Sequence, residues 1–142
     1  MEIEKLIECA IDAQKNSYSP YSKFAVGACV LTKSGKVFCG ANIENASYPA
    51  GICAERVAAS KAISEGEKQF EVVVITCNGN VYPFPCGVCR QFLSEFGNMK
   101  IVVAKSKSEY KIFDLSELLP SSFKLNWNEK FKMYCNSVFN LI

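Results

Sequence analysis

The feature that most constrains this chain is a cysteine motif in two separated halves. The first half is Cys53-Ala54-Glu55-Arg56 and the second is Pro85-Cys86-Gly87-Val88-Cys89. The C-x-x-C spacing lets Cys86 and Cys89 put two sulfurs on one metal ion, and Cys53 can supply a third. Thiolates bind zinc, and a catalytic zinc site keeps three protein ligands and one open position. A fold for this sequence must therefore bring the two stretches together. Glu55 stands two residues past Cys53, close enough to sit beside a metal without being a ligand. Histidine is absent. That removes imidazole ligands, His-based proton transfer and every Ser-His or Cys-His nucleophile, so any metal must be held by sulfur, carboxylate or backbone oxygen.

The apolar pattern supplies the scaffold. Ile3, Leu6, Ile7, Ala10 and Ile11 recur at helical spacing, so a helix is expected from residue 3 to about 16, broken by the Ser17 to Pro20 stretch. Phe24 to Thr32 reads as a buried strand, Ser34-Gly35 as a turn, and Lys36 to Cys39 as the returning strand. Residues 41–52 show no periodicity and read as a long loop, which is often functional. A helix over 53–65, with Ala54, Val57, Ala58, Lys61 and Ala62 on one face, ends at Gly66. Glu71 to Cys77 is a β-branched strand, residues 87–96 a helix stopped by Gly97, Lys100 to Ala104 a strand, and Tyr110 to Phe113 its hairpin mate. Ser116 to Leu119 reads as a short helix before Pro120. The strand-helix-strand unit from 71 to 104 favours a parallel crossover. The expected fold is a three-layer α/β/α sandwich around a five-stranded mixed sheet, with the N-terminal helix alone on the far face. Both metal half-sites fall at helix starts, where unpaired N–H groups and a partial positive charge favour thiolate over thiol.

Length and charge bound the rest. At 142 residues, residues 1–142 are expected to form one domain. The net charge of +2 carries no long basic run, which argues against a nucleic-acid partner. Lys124, Lys130 and Lys132 read as a solvated tail. No apolar stretch is long enough to span a membrane. The opening Met1-Glu2-Ile3-Glu4 does not read as a signal peptide, so a cytoplasmic location is expected. The eight cysteines are then expected to be reduced or metal-bound.

Four stretches together resemble the cytidine deaminase family, in its small, three-cysteine, homotetrameric form. They are Pro20-Tyr21-Ser22-Lys23-Phe24-Ala25-Val26-Gly27-Ala28, Asn42-Ile43-Glu44-Asn45-Ala46-Ser47-Tyr48, Cys53-Ala54-Glu55-Arg56 and Pro85-Cys86-Gly87-Val88-Cys89-Arg90-Gln91. The similarity runs from the first helix to about Phe123. The resemblance implies the sandwich fold and one Zn2+ per subunit held by Cys53, Cys86 and Cys89. It implies hydrolytic deamination of cytidine and deoxycytidine to uridine and deoxyuridine, in pyrimidine salvage. Zinc would make a nucleophile of water, and Glu55 would pass its proton to the ring and then to the leaving amine. The resemblance also implies that Arg56 hydrogen-bonds the thiolates, and that Asn42 and Glu44 hold the ribose hydroxyls. Phe24 would line the pocket, and the Ala54 backbone would donate to the pyrimidine carbonyl. Ala46, Tyr48 and Phe123 would be contributed by neighbouring subunits of a homotetramer.

Blander readings stand beside these. Three thiolates on Zn2+ leave a charge of −1, which damps the metal's Lewis acidity unless helix N-termini and Arg56 offset it. A structural zinc module would need a fourth ligand, with Cys9, Cys29, Cys39, Cys77 and Cys135 as candidates. In strands, Cys29, Cys39 and Cys77 read instead as small buried hydrophobes. A lone C-x-x-C can also be a redox pair. Within the enzyme class, another cytosine nucleoside, or cytosine within RNA or DNA, are the alternative substrates. Residues 124–142, with Trp127, Phe131, Met133, Tyr134, Phe139 and Leu141, match none of the family stretches. They are too aromatic for a solvated tail and are expected to pack on the sheet or on a neighbouring subunit, or to be a lineage-specific extension.

Overall fold

The computed structural model describes residues 1–125. The aromatic stretch from Trp127 to Leu141, together with Lys130, Lys132 and Cys135, lies outside the described residues. In chain order the elements are α1 (Ile3–Gln14), β1 (Val26–Thr32), β2 (Val37–Ala41), α2 (Ala54–Ser64), β3 (Phe70–Cys77), α3 (Gly87–Ser94), β4 (Lys100–Ser106), β5 (Glu109–Asp114) and α4 (Leu115–Leu118). The five strands form one sheet in the order β2-β1-β3-β4-β5. Only β3 and β4 run parallel, as expected for the two strands joined through α3. The other neighbours are antiparallel.

The alternation along each strand divides the core into two layers. Ala28, Val30, Phe38, Val73, Ile75, Ile101 and Val103 face α2, α3 and α4. Cys29, Leu31, Val72, Val74, Val102 and Ala104 face Leu6, Ile7 and Ala10 of α1. The three-layer expectation is met. Period-2 burial on both faces follows from the pleat, and each large apolar side chain so buried contributes about 1.5–3 kcal/mol.

Two glycines set how closely the helices approach the sheet. A Cβ on Gly27 would stand 2.0 Å from the Ala10 carbonyl oxygen and 2.7 Å from the Gln14 nitrogen of α1. A Cβ on Gly40 would stand 2.6 Å from the Ala58 nitrogen of α2. The alanine stripe Ala54, Ala58, Ala59 and Ala62, fully buried, lets α2 settle onto β2 and β1.

Several boundaries differ from expectation. The first strand starts at Val26, because side chains take the backbone groups of Phe24 and Ala25 out of the ladder. Asn42 donates to the Phe24 carbonyl and Asn78 accepts from the Ala25 N–H. Ile11 lies at the exposed edge of the α1 stripe, and Lys61 leaves the α2 apolar face to donate to the Cys39 carbonyl at 2.6 Å. The last helix starts one residue early, at Leu115, because Asp114 and Glu117 form a capping box. The D-x-x-E spacing at 114–117 already carries that signal. The 41–52 loop is ordered: Ile43 and Ile52 exchange backbone hydrogen bonds of 2.9 Å in each direction, and Tyr48–Ala50 forms a 3-10 turn.

Gly27→Ala is expected to destabilise the fold by about 3 kcal/mol, since backbone, not a flexible side chain, blocks the new methyl. In thermal unfolding this corresponds to a Tm fall on the order of 10 °C. Gly79→Ala, whose Cβ meets nothing nearer than 3.6 Å, serves as the control. Equal Tm values for the two variants would show that α1 can lift from β1 at little cost.

Candidate metal centre and active site

The two cysteine stretches meet because α2 and α3 lie side by side on one face of the sheet. Each begins at a cysteine in extended conformation: Cys53 is the N-cap of α2 and Cys86 the N-cap of α3. Cys89 follows in the first turn of α3 and is fully buried. Cys53 Sγ and Cys86 Sγ stand 3.7 Å apart, and all three sulfurs lie within 4.8 Å of one another. Three sulfurs at about 2.3 Å from a tetrahedral ion are about 3.8 Å apart. The side chains present therefore fit a zinc ion. Among the described residues no fourth ligand joins this group. The fourth cysteine that a structural zinc module needs is not supplied by Cys9, Cys29, Cys39 or Cys77, and Cys135 lies outside the described residues.

Glu55 sits in the first turn of α2 and is only 4% exposed. Burial pushes its carboxyl up to about 7, with the nearby Cys53 charge adding to the rise and a backbone hydrogen bond opposing it. A carboxyl so tuned can both take and give a proton near neutrality. The Cys53 thiol moves down, to about 5, chiefly because the Cys89 thiol donates to it, with Arg56 assisting. Cys89 moves up for the same reason, holding the proton it donates. The Arg56 guanidinium lies 3.9 Å from Cys53 Sγ, while its Nε is buried with no partner. An unsatisfied buried donor costs about 1–3 kcal/mol. A unit charge pair near 4 Å recovers about 4 kcal/mol at an effective dielectric constant of about 20. The balance favours Arg56 beside the sulfurs only when they carry negative charge.

A cleft of about 620 Å3 opens next to Cys53 and Arg56, with Asn42, Glu44, Tyr48 and Val88 among its walls. Asn42 is heavily engaged: its Oδ1 accepts from the Val26 N–H at 2.9 Å and from the Ser17 hydroxyl, and its Nδ2 donates to the Phe24 carbonyl at 2.8 Å. One amide hydrogen is left over. Glu44 accepts from the Tyr21 and Ser22 N–H groups at 3.2–3.3 Å, and its carboxylate has further lone pairs free. Both residues brace the 18–26 segment as well as facing the cleft.

Of the remaining expected residues, Phe24, Ala46, Ala54 and Phe123 do not line this cleft, whereas Tyr48 forms part of its wall. Phe24 is part-exposed, with its ring edge over Gly79. Ala54 is buried in the first turn of α2, where the helix offers its N–H no acceptor. Ala46 is exposed in a bend, Tyr48 is 77% exposed and Phe123 is 70% exposed. The Phe123 carbonyl accepts from Gln91 of α3 at 3.0 Å, which brings that residue toward the same helix.

Two positioning residues were not singled out by sequence pattern. Asn78 pins the Phe24 segment through the Lys23 carbonyl and the Ala25 N–H; in the sequence it reads only as a turn residue. Arg90 clamps the Pro85 carbonyl at 2.7 Å and the Leu118 carbonyl at 2.8 Å, fixing the approach to Cys86. Its place directly after Cys89, inside the fourth of the family-like stretches, was the signal available for it.

Known proteins place this geometry. The family described as "Cytidine and deoxycytidylate deaminase zinc-binding region" matches residues 1–105. The chain is 44% identical to a probable cytidine deaminase of Dictyostelium discoideum over 124 residues, covering 86% of this chain and 84% of that one. It is 38% identical to a cytidine deaminase of Sporosarcina psychrophila over 125 residues, 87% of this chain and 92% of that one. The crystal structure of cytidine deaminase from Burkholderia pseudomallei superposes with a TM-score of 0.82 at 37% identity, over 87% of this chain and 100% of that one. With three converging sulfurs, a buried carboxylate and this sandwich, the chain belongs to the zinc-binding cytidine and deoxycytidylate deaminase family.

Proposed function

We propose that this protein hydrolytically deaminates cytidine and deoxycytidine to uridine and deoxyuridine, releasing ammonia in pyrimidine salvage. The observation that carries it is the buried Glu55 carboxyl, within reach of Cys53 and Cys89, next to three converging sulfurs. Cys53, Cys86 and Cys89 would hold zinc, which would supply the Lewis acidity that makes water a usable nucleophile near neutral pH. Glu55 takes a proton from the attacking water and delivers it to ring N3. It then takes the second proton and delivers it to the departing C4 amine. The water oxygen ends as the C4 carbonyl, one proton stays on N3, and the other leaves in ammonia. Arg56 and the N-termini of α2 and α3 offset the charge of the thiolates.

Substrate is held by groups that face the cleft or flank it. Glu44 retains acceptor capacity and Asn42 one donor, a pair suited to vicinal ribose hydroxyls. The Ala54 N–H, left without a helix acceptor, would donate to the pyrimidine carbonyl, and Phe24 would line the ring and sugar pocket. Ala46, Tyr48 and Phe123 lie open at the surface, which supports a homotetramer in which each subunit completes a neighbour's pocket. Each subunit of that tetramer would be one deaminase domain working in the cytoplasm.

Ultraviolet-monitored turnover of cytidine tests the proposal. Glu55→Gln is expected to lose about 10²–10⁴-fold in kcat while staying folded and zinc-loaded. A folded, zinc-loaded Glu55→Gln with near wild-type turnover removes Glu55 as the proton carrier. If wild type, zinc-loaded, ignores cytidine but turns over another cytosine nucleoside, the substrate assignment is wrong. Arg56→Ala is expected to weaken zinc retention about 10–100-fold, read by competition with a chromophoric chelator; unchanged affinity would take Arg56 out of the charge balance. Glu44→Gln is expected to raise KM for cytidine about tenfold, the loss of a charge-assisted hydrogen bond, with a much smaller effect on kcat. A change confined to kcat would place Glu44 elsewhere than on the sugar.

A further inference from the structure

We propose that Cys9, Cys29 and Cys39 form a second thiolate site, on the opposite face of the sheet, for a soft cation of the Zn2+ or Cu+ kind. The three residues come from separate elements: Cys9 from α1, Cys29 from β1 and Cys39 from β2. Their sulfurs all lie within 4.8 Å of one another, as do those of the first centre. Cys29 Sγ and Cys39 Sγ are 3.4 Å apart. Three sulfurs on one ion at about 2.3 Å stand about 3.8–4.0 Å apart, so small side-chain rotations suffice to close the set. All-sulfur donors select soft cations.

The backbone holds two of the three in place. Cys29 and Cys39 are directly opposite in the β1–β2 register. Hydrogen bonds between Thr32 and Lys36 and between Asn42 and Val26 mark the hydrogen-bonded rungs on either side. Counting along the register, Cys29 and Cys39 fall on a non-hydrogen-bonded rung, where opposed side chains are closest. Gly27 lets α1 press onto the same face, which brings Cys9 into reach.

The surroundings differ from those of ordinary core thiols. Cys29 is fully buried beside Leu6, Leu31 and Val74, and small-hydrophobe packing accounts for it alone. Cys9 and Cys39 are only partly buried. They line a cavity of about 460 Å3 whose walls also carry Asp12 and Lys61. The cavity gives an ion a way in, and the Asp12 carboxylate, which pairs with Lys15 at 2.6 Å, adds negative charge to its wall. Lys61, anchored on the Cys39 carbonyl at 2.6 Å, sets a cation beside a cluster that would carry excess negative charge once metallated. An ion bound here would tie α1 to the β1–β2 hairpin and stabilise the fold by mass action.

Metal counting tests this without relying on catalysis. The wild-type protein, freed of bound metal under reducing conditions and titrated anaerobically with Co2+, is expected to take two equivalents with sulfur-to-metal charge-transfer absorption. Cys9→Ser/Cys39→Ser is expected to take one, with cytidine turnover unchanged. Should the double variant fail to fold, Cys9→Ser alone, at a partly exposed helix position, is expected to weaken the second equivalent at least tenfold. Parallel Zn2+ and Cu+ titrations say which ion the site prefers, and tight binding of either supports it. One equivalent in the wild type with every ion, with the part-buried Cys9 and Cys39 thiols open to alkylation in the loaded protein, overturns the proposal. So does a Cys29–Cys39 disulfide found by peptide mapping with Cys9 left free.

Discussion

The centre of this protein depends on two helix N-termini being brought to one point on the same sheet face. Neither C-A-E-R nor P-C-x-x-C has enough ligands to close a site alone, and residues 57–84 separate them. What joins them is the parallel β3–β4 pair, which places α3 over the sheet beside α2. The close fit of α2, with its alanine stripe against Gly40, holds Cys53 at the depth Cys86 and Cys89 require. A bulkier contact would lift the helix and open a 3.7 Å sulfur spacing that zinc needs near 3.8 Å.

Charge is the second constraint. Each helix end brings partial positive charge to a cluster rich in sulfur, and Arg56 adds a whole one. The burial that raises the Glu55 carboxyl toward neutrality comes from the same packing that seats Cys89. Proton carrier and ligand set are thus products of one core, in which Glu55 exchanges solvent for the fields of its neighbours. The Asn42 and Glu44 side chains extend this economy of roles. They brace the 18–26 segment against the 41–52 loop while keeping part of their hydrogen-bonding capacity toward the cleft.

The other face of the sheet repeats the arrangement in a different idiom. There a cross-strand cysteine pair and one helical cysteine converge, with Lys61 rather than Arg56 as the neighbouring cation. The first cluster is marked by short sequence spacing. The second is spread over three elements and is visible only once strand register and helix placement are known.

The division between sequence and tertiary structure follows from how far each property reaches along the chain. Ligand identity, the absence of histidine and the non-ligand position of Glu55 are local chemistry, so they are legible in the letters. The layer order is legible too, because period-2 and period-3.6 burial are written residue by residue. The capping box at Asp114 and Glu117 was equally local and simply lay beyond the periodicity. Tertiary structure alone decided what depends on register and approach distance. Phe24 left the strand because Asn42 and Asn78, distant in sequence, bind the backbone around it. Lys61 left its apolar face because the Cys39 carbonyl stood within reach. Cys9, Cys29 and Cys39 met because rung pairing and a glycine-permitted helix contact brought three separate residues together, and no spacing along the chain encodes that.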